Sequence, residues 1–130
     1  MLPALLDQYV LVVEDDAALR ELYRMTLRSA GLAVVAVEDG IDALRRVERG
    51  RPEAVVLDLG LPRLNGRDVK RELDSRPDTQ HIPVVVVSGN DTSDLDPRDF
   101  ACVLHKPINS DDLLVAVQNC LRRRAERFWE

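Results

Sequence analysis

The sequence predicts an α/β fold built on a parallel sheet, and three observations predict it. Short apolar runs rich in Val recur at residues 10–13, 33–37, 54–57, 84–87 and 101–104. Each run ends in acidic, polar or turn-forming residues. Between the runs lie stretches whose apolar residues fall three and four apart, the helical period. Continuously apolar strands are buried on both faces, and parallel strands need crossovers of a dozen or more residues, so helices must cover the sheet on both sides.

Each element follows in order. Residues 10–13 read as a strand running straight into Glu14, Asp15 and Asp16. A helix then carries Leu19, Leu22, Tyr23, Leu27 and Ala30 as its apolar stripe, with Gly31 as its stop. After the strand at 33–37, Asp39 and Gly40 lead into a second helix with Ile41, Ala43, Leu44 and Val47, ended by Gly50 and Pro52. The third strand, 54–57, delivers Asp58 at its carboxyl end, and Pro62, Asn65 and Gly66 supply the turn before a helix through Val69 and Leu73. Residues 75–80 read as a polar surface loop. The fourth strand ends in Ser88, Gly89 and Asn90. Residues 91–99 contain four Asp and Pro97 with little apolar periodicity, so the fourth helix is expected to be shortened or missing. His105, Lys106 and Pro107 follow the fifth strand, and Asn109 or Ser110 caps a last helix striped by Leu113, Leu114, Val117, Cys120 and Leu121. Five strands in this alternation suit a flavodoxin-like doubly wound sheet of order 2-1-3-4-5, with its switch point between strands one and three.

The 130 residues fit one domain, 1–130, with 124–130 as a C-terminal extension or linker. No apolar run approaches the roughly 20 residues of a spanning helix. Residues 1–6 are apolar but brief, lack a basic start and meet Asp7, unlike a signal peptide, so cytoplasmic residence is expected. Cys102 and Cys120 read as buried thiols. A net charge of -5 argues against direct nucleic-acid binding, which depends on Lys and Arg neutralising phosphates. The cluster Arg122, Arg123, Arg124 and Arg127 reads as a solvated helix face.

The switch point is where Glu14, Asp15 and Asp58 meet. Converging carboxylates repel one another unless a cation sits among them, and Mg2+ prefers such oxygen ligands. Asp15 and Asp58 supply carboxylates, Gly60 a backbone carbonyl, and Glu14 an outer position, while Asp16 is expected only to cap its helix. Asp58 is the candidate phosphoryl acceptor. Phosphoryl transfer asks chiefly for positioning and charge neutralisation. Ser88 can donate a hydroxyl hydrogen bond, Gly89 leaves room for the backbone to approach, and Lys106 brings an ammonium.

Glu14-Asp15, Asp58 with Pro62 and Gly66, Ser88, and Lys106-Pro107 together resemble the motif set of bacterial response-regulator receiver domains, across nearly the whole chain. The resemblance implies that Asp58 takes a phosphoryl group from phosphohistidine on a sensor histidine kinase or a histidine phosphotransfer protein. It further implies that Asp15 helps bind Mg2+, that Lys106 pairs with the phosphoryl group, that Ser88 moves to bond it, and that the Lys106–Pro107 peptide is cis. The chain departs from the family at Val103, where receivers usually carry Tyr or Phe, and in its short 89–101 segment. Ordering of residues 89–99 is therefore expected to replace an aromatic readout, and Gly60 and Asn90 to leave the phosphoryl site open to water.

Two other functions stay open on the residues. A Mg2+-dependent aspartyl phosphohydrolase commonly needs a second Asp two positions after the first, where Gly60 stands. A pseudo-receiver acting without phosphorylation fits Val103 and the short segment but not the intact Asp15, Asp58 and Lys106. The C-terminal aromatic pair Phe128 and Trp129 suits a homodimer contact, a linker or a frayed tail.

Overall fold

The computed structural model describes residues 8–128. Met1 to Leu6 and Trp129 lie outside them, as do the side chains of Arg127 and Phe128. Five strands, β1 (Val10–Val13), β2 (Val34–Val37), β3 (Ala54–Asp58), β4 (Val84–Ser88) and β5 (Cys102–His105), form one sheet of order β2-β1-β3-β4-β5. All neighbours pair in parallel, as expected. The helices are α1 (Ala17–Ser29), α2 (Gly40–Arg49), α3 (Gly66–Asp74) and α4 (Ser110–Phe128).

Alternation along the strands divides the core. Leu11, Val13, Val55, Leu57, Val84 and Val86 face α2 and α3, where Ala43, Val47, Val69 and Leu73 meet them. Val10, Val12, Val56 and Val87 face α1 and α4, against Tyr23, Leu27, Leu113 and Val117. Each helix begins on a short polar side chain that accepts a backbone N–H. Asp16 accepts from Leu19, Asp39 from Asp42, Asn65 from Asp68, and Asn109 from Asp111. Gly31, at φ 88°, sits in the left-handed region just past α1.

The crossover from β4 to β5 holds only a 3₁₀ turn, Pro97–Asp99, in place of a helix. Two contacts pin this segment to α3: Arg67 forks onto Asp94 at 2.9 and 3.2 Å, and the Lys70 ammonium lies 5.4 Å from the Phe100 ring centroid. Leu95, Phe100 and Val103 pack on the α2/α3 side of the core.

Several expectations change in detail. β2 omits Ala33 and β5 begins at Cys102, because the paired register starts at Val10 with Val34 and at Val85 with Cys102. Leu22 and Ala30 face solvent, since α1 turns Tyr23 and Leu27, with Leu19 beside them, toward the sheet. Residues 75–80 make tight turns with Thr79 buried, its hydroxyl donating to the Leu73 carbonyl at 2.7 Å. Cys120 is buried and Cys102 half-buried, both as free thiols. Arg122 and Arg123 are exposed, as a solvated face requires, whereas Arg124 reaches the Pro52 carbonyl at 3.4 Å. α4 runs through 124 to Phe128.

Candidate functional site

The carboxyl ends of β1, β3 and β5 bring three charged side chains together. Glu14 follows β1, and its N–H donates to the Val37 carbonyl at 3.1 Å, which continues the β1–β2 pairing by one step. Its side chain is buried. One carboxylate oxygen accepts the Asp16 N–H at 3.1 Å, and the other meets the Lys106 ammonium at 2.7 Å. Asp58 closes β3. Its Oδ1 accepts the Gly60 N–H at 3.0 Å, and its Oδ2 lies 3.3 Å from the same ammonium. Lys106 stands one residue past β5, its N–H bonded to the Ser88 carbonyl at 2.8 Å. The Lys106–Pro107 peptide is cis.

The electrostatics follow from this geometry. Burial pushes the Glu14 carboxyl up to about 7, with Lys106 only partly offsetting it. For Asp58, burial acts upward too, but the Gly60 N–H, Glu14 and Lys106 outweigh it and hold the carboxyl below its ordinary value. Lys106 loses hydration, yet the two carboxylates around it raise its pKa. Glu14 thus resists ionisation chiefly because it is buried, the nearby Asp58 charge adding a smaller push in the same direction. Carboxylate oxygens of Glu14, Asp15 and Asp58 lie within 4.8 Å of one another, Asp15 on the exposed side. The donors are all hard oxygens, and the set fits a divalent cation such as Mg2+.

The other predicted residues are placed as follows. Asp16 caps α1. Ser88 is buried one residue beyond Val87, the register partner of Asp58. Its hydroxyl accepts the Asn90 N–H at 3.1 Å and makes no bond to Asp58 or Lys106. A side chain at Gly89 would meet only Lys106 atoms, at 3.9 Å, so the protein itself does not require glycine there. A Cβ at Gly60 would stand 3.8 Å from Asn90 Nδ2 and from Asp58 Oδ1, which leaves that flank open.

Sequence reasoning missed three residues. Arg20, one turn into α1, donates to the carbonyls of Glu14 and Asp15 at 3.0 and 3.3 Å and so fixes the acidic turn. An arginine shortly after an acidic turn was the available signal. Tyr23 buries its hydroxyl beneath the site without a hydrogen-bond partner among the described residues, and burial followed by the charge of Glu14 raises its pKa. Arg63 adopts φ 62° and pairs with both Asp39 and Asp42, tying the β3–α3 loop to the start of α2. The second acidic group, Glu38, Asp39 and Asp42, is thereby occupied by a guanidinium.

A doubly wound parallel sheet with carboxylates and a lysine gathered at its switch point defines an aspartate-centred α/β domain. The chain belongs to the response regulator receiver domain family, whose family model matches residues 10–118. It is thus a receiver domain of the two-component signalling type, and that family is not a classical enzyme family. Response regulator MprA of Mycobacterium leprae is 37% identical over 88% of this chain and 51% of its own length. The chain spans about half the length of the curated relatives it matches. Among solved structures, the signal receiver domain of a Vibrio parahaemolyticus protein is 31% identical with TM-score 0.86, covering 95% of this chain and 98% of that one. A response regulator receiver domain protein from Clostridium thermocellum is 25% identical with TM-score 0.78, covering 90% and 96%.

Proposed function

We propose that Asp58 is the phosphoryl acceptor and that Lys106 is the charge that steadies the transferred group. An Asp58 carboxylate oxygen attacks phosphorus, the P–N bond of a donor phosphohistidine breaks, and the imidazole leaves with the electron pair and takes up a proton. The observation that carries this reading is the Asp58 carboxylate held by the Gly60 N–H and the Lys106 ammonium at the sheet's switch point. Those contacts keep the carboxylate ionised, hence nucleophilic, and aim it. Asp15, Asp58 and the Gly60 carbonyl would hold Mg2+, with Glu14 behind them. When bound, the ion supplies positive charge against the phosphoryl oxygens. Ser88 is the hydroxyl that turns from Asn90 toward the phosphoryl group.

The domain assists its own phosphorylation and dephosphorylation and turns over no separate substrate. Gly60 and Asn90 flank an open approach for water, which suits a short-lived aspartyl phosphate. Exposed Leu22 and Met25 on α1 give a sensor histidine kinase or phosphotransfer protein an apolar foothold. No helix among the described residues is long and apolar enough to cross a membrane, and a cytoplasmic site of action follows from the reading. Val103 has no ring to swing, so the signal passes through the 89–101 segment.

The test is intact-mass measurement after exposure to a small-molecule phosphodonor with Mg2+. The parent should gain one phosphoryl adduct, lost when Mg2+ is removed and in Asp58→Asn. An adduct that persists in Asp58→Asn would overturn the assignment.

A further inference from the structure

The opposite end of the sheet carries a second recess, independent of the Asp58 chemistry. Because the β4–β5 crossover lacks a helix, the amino-terminal ends of those two strands are left open between α3 and α4. A cavity of about 380 Å³ results, at the small end of the range for ligand pockets. Ile82, Val84, Phe100 and Cys120 give it an apolar floor.

Its charge is contrary to that of the chain. Lys70, Arg98, Arg123 and Arg124 line it against a single carboxylate, Asp99, although the whole sequence carries a net charge of -5. Solvation of one helix face accounts for Arg122, which bonds Asn119 on its own helix. It does not account for cations converging from α3, the 3₁₀ turn and α4. Lys70 is paired with Asp74 and Arg98 with Asp96, both outside the cavity lining. Among the described residues Arg123 forms no ion pair, and Arg124 bonds only the Pro52 carbonyl. Two guanidinium groups without carboxylate partners among the described residues therefore stand over an apolar floor that includes an aromatic ring. Guanidinium forks match phosphate oxygens, and planar rings settle against aromatic and aliphatic surfaces.

We infer that this recess binds a small phosphate ester with a planar ring, of the nucleotide class, with Arg123 and Arg124 on the phosphate and the ring against Ile82 and Phe100. The site lies away from the acceptor aspartate and would be a second input to the domain.

The experiment is an amide-resolved NMR titration of the full chain with adenosine monophosphate and guanosine monophosphate, free of Mg2+. Adenosine and inorganic phosphate are run alone for comparison. A saturable response below about 1 mM, centred on the amides of Ile82, Phe100 and Ala101, is expected for a nucleotide. Arg123→Glu or Arg124→Glu should weaken it about tenfold or more, since each removes a charge-assisted bond, while Arg122→Glu should not. No saturable response would overturn the inference, as would equal binding in the charge-reversed variants or a response confined to Glu14, Asp58 and Lys106. Phosphate alone binding as tightly as a nucleotide would refute the ring contact. An acidic peptide shifting the same amides where nucleotides do not would transfer the recess to a protein partner.

Discussion

Replacing Gly66 with Ala sets two effects against each other at the point where α3 starts beneath the strand that ends in Asp58. Helix propensity alone favours Ala over Gly by up to about 1 kcal/mol. The local packing argues the other way. A Cβ at residue 66 would stand 2.5 Å from the Asp58 carbonyl oxygen and 2.6 Å from Leu59 Cα. Against the 3.0 Å that real Cβ contacts essentially never undercut, the backbone must give by about half an ångström (3.0 less 2.5). Backbone atoms held in the β3 ladder cannot rotate away as the end of a flexible side chain could. Overpacking of this kind costs about 1–3 kcal/mol, so Gly66→Ala should come out destabilising by about 1–2 kcal/mol in urea unfolding followed by circular dichroism. The atoms that must shift belong to Asp58 and its neighbour, and misplacement approaching 1 Å costs reacting groups up to about a hundredfold. Phosphorylation by a small-molecule donor should therefore slow by about tenfold or more even where the variant is fully folded. A variant as stable as the parent and phosphorylated at the same rate would refute the argument that this glycine is demanded by close approach.

Asp39→Ala removes the α2 cap and the partner of Arg63, with an expected loss of about 1–2 kcal/mol in urea unfolding at neutral pH. Although burial acts upward on Asp39, the Asp42 N–H and Arg63 hold its pKa below the usual 3.8, so its contribution is present above that value and is lost as pH falls through the lower folded one. A gap between parent and variant that survives strong acid would contradict this. Mg2+ at a hundredfold excess over its dissociation constant should stabilise the parent by about 2.7 kcal/mol. Asp15→Asn, which removes one of the three converging negative charges, should not lower the Mg2+-free midpoint but should abolish that increment; an increment retained in the variant would remove Asp15 from the ligand set. Arg67→Ala releases the 89–101 segment from α3, and amide exchange there should quicken by up to about fivefold, the equivalent of about 1 kcal/mol for an exposed pair, with β1 unaffected. Unchanged exchange would show that the Asp94 contact does not hold the segment.

Much of the fold was legible because its signals are local. A Val-rich run declares a strand buried on both faces, and a short polar residue before a helical period declares a cap, as at Asp16 and Asn109. The missing fourth helix was readable from Pro97 and the Asp-rich stretch around it, residues that favour turns over helix interiors. Tertiary competition decided where such patterns stop. Leu22 satisfies the helical period of α1, but the groove above the sheet closes over Tyr23 and Leu27 and leaves Leu22 outside.

By itself, the sequence determined the succession of strands and helices, and the chemical type of group at each strand end: Glu14 and Asp15 after β1, Asp58 at the end of β3, Ser88 at the end of β4 and Lys106 after β5. How those groups meet depends on the closed sheet. The Lys106 ammonium touches Glu14 and Asp58 because the parallel register pairs Ser88 with His105 and carries the next residue over the sheet's edge. Likewise, Arg63 reaches Asp39 across 24 positions of sequence, and the cationic recess forms where three separate elements converge. Periodicity and capping act within a few residues, so a sequence displays them directly. Distances between side chains on different strands depend on register and loop length, and are fixed only when the whole sheet closes.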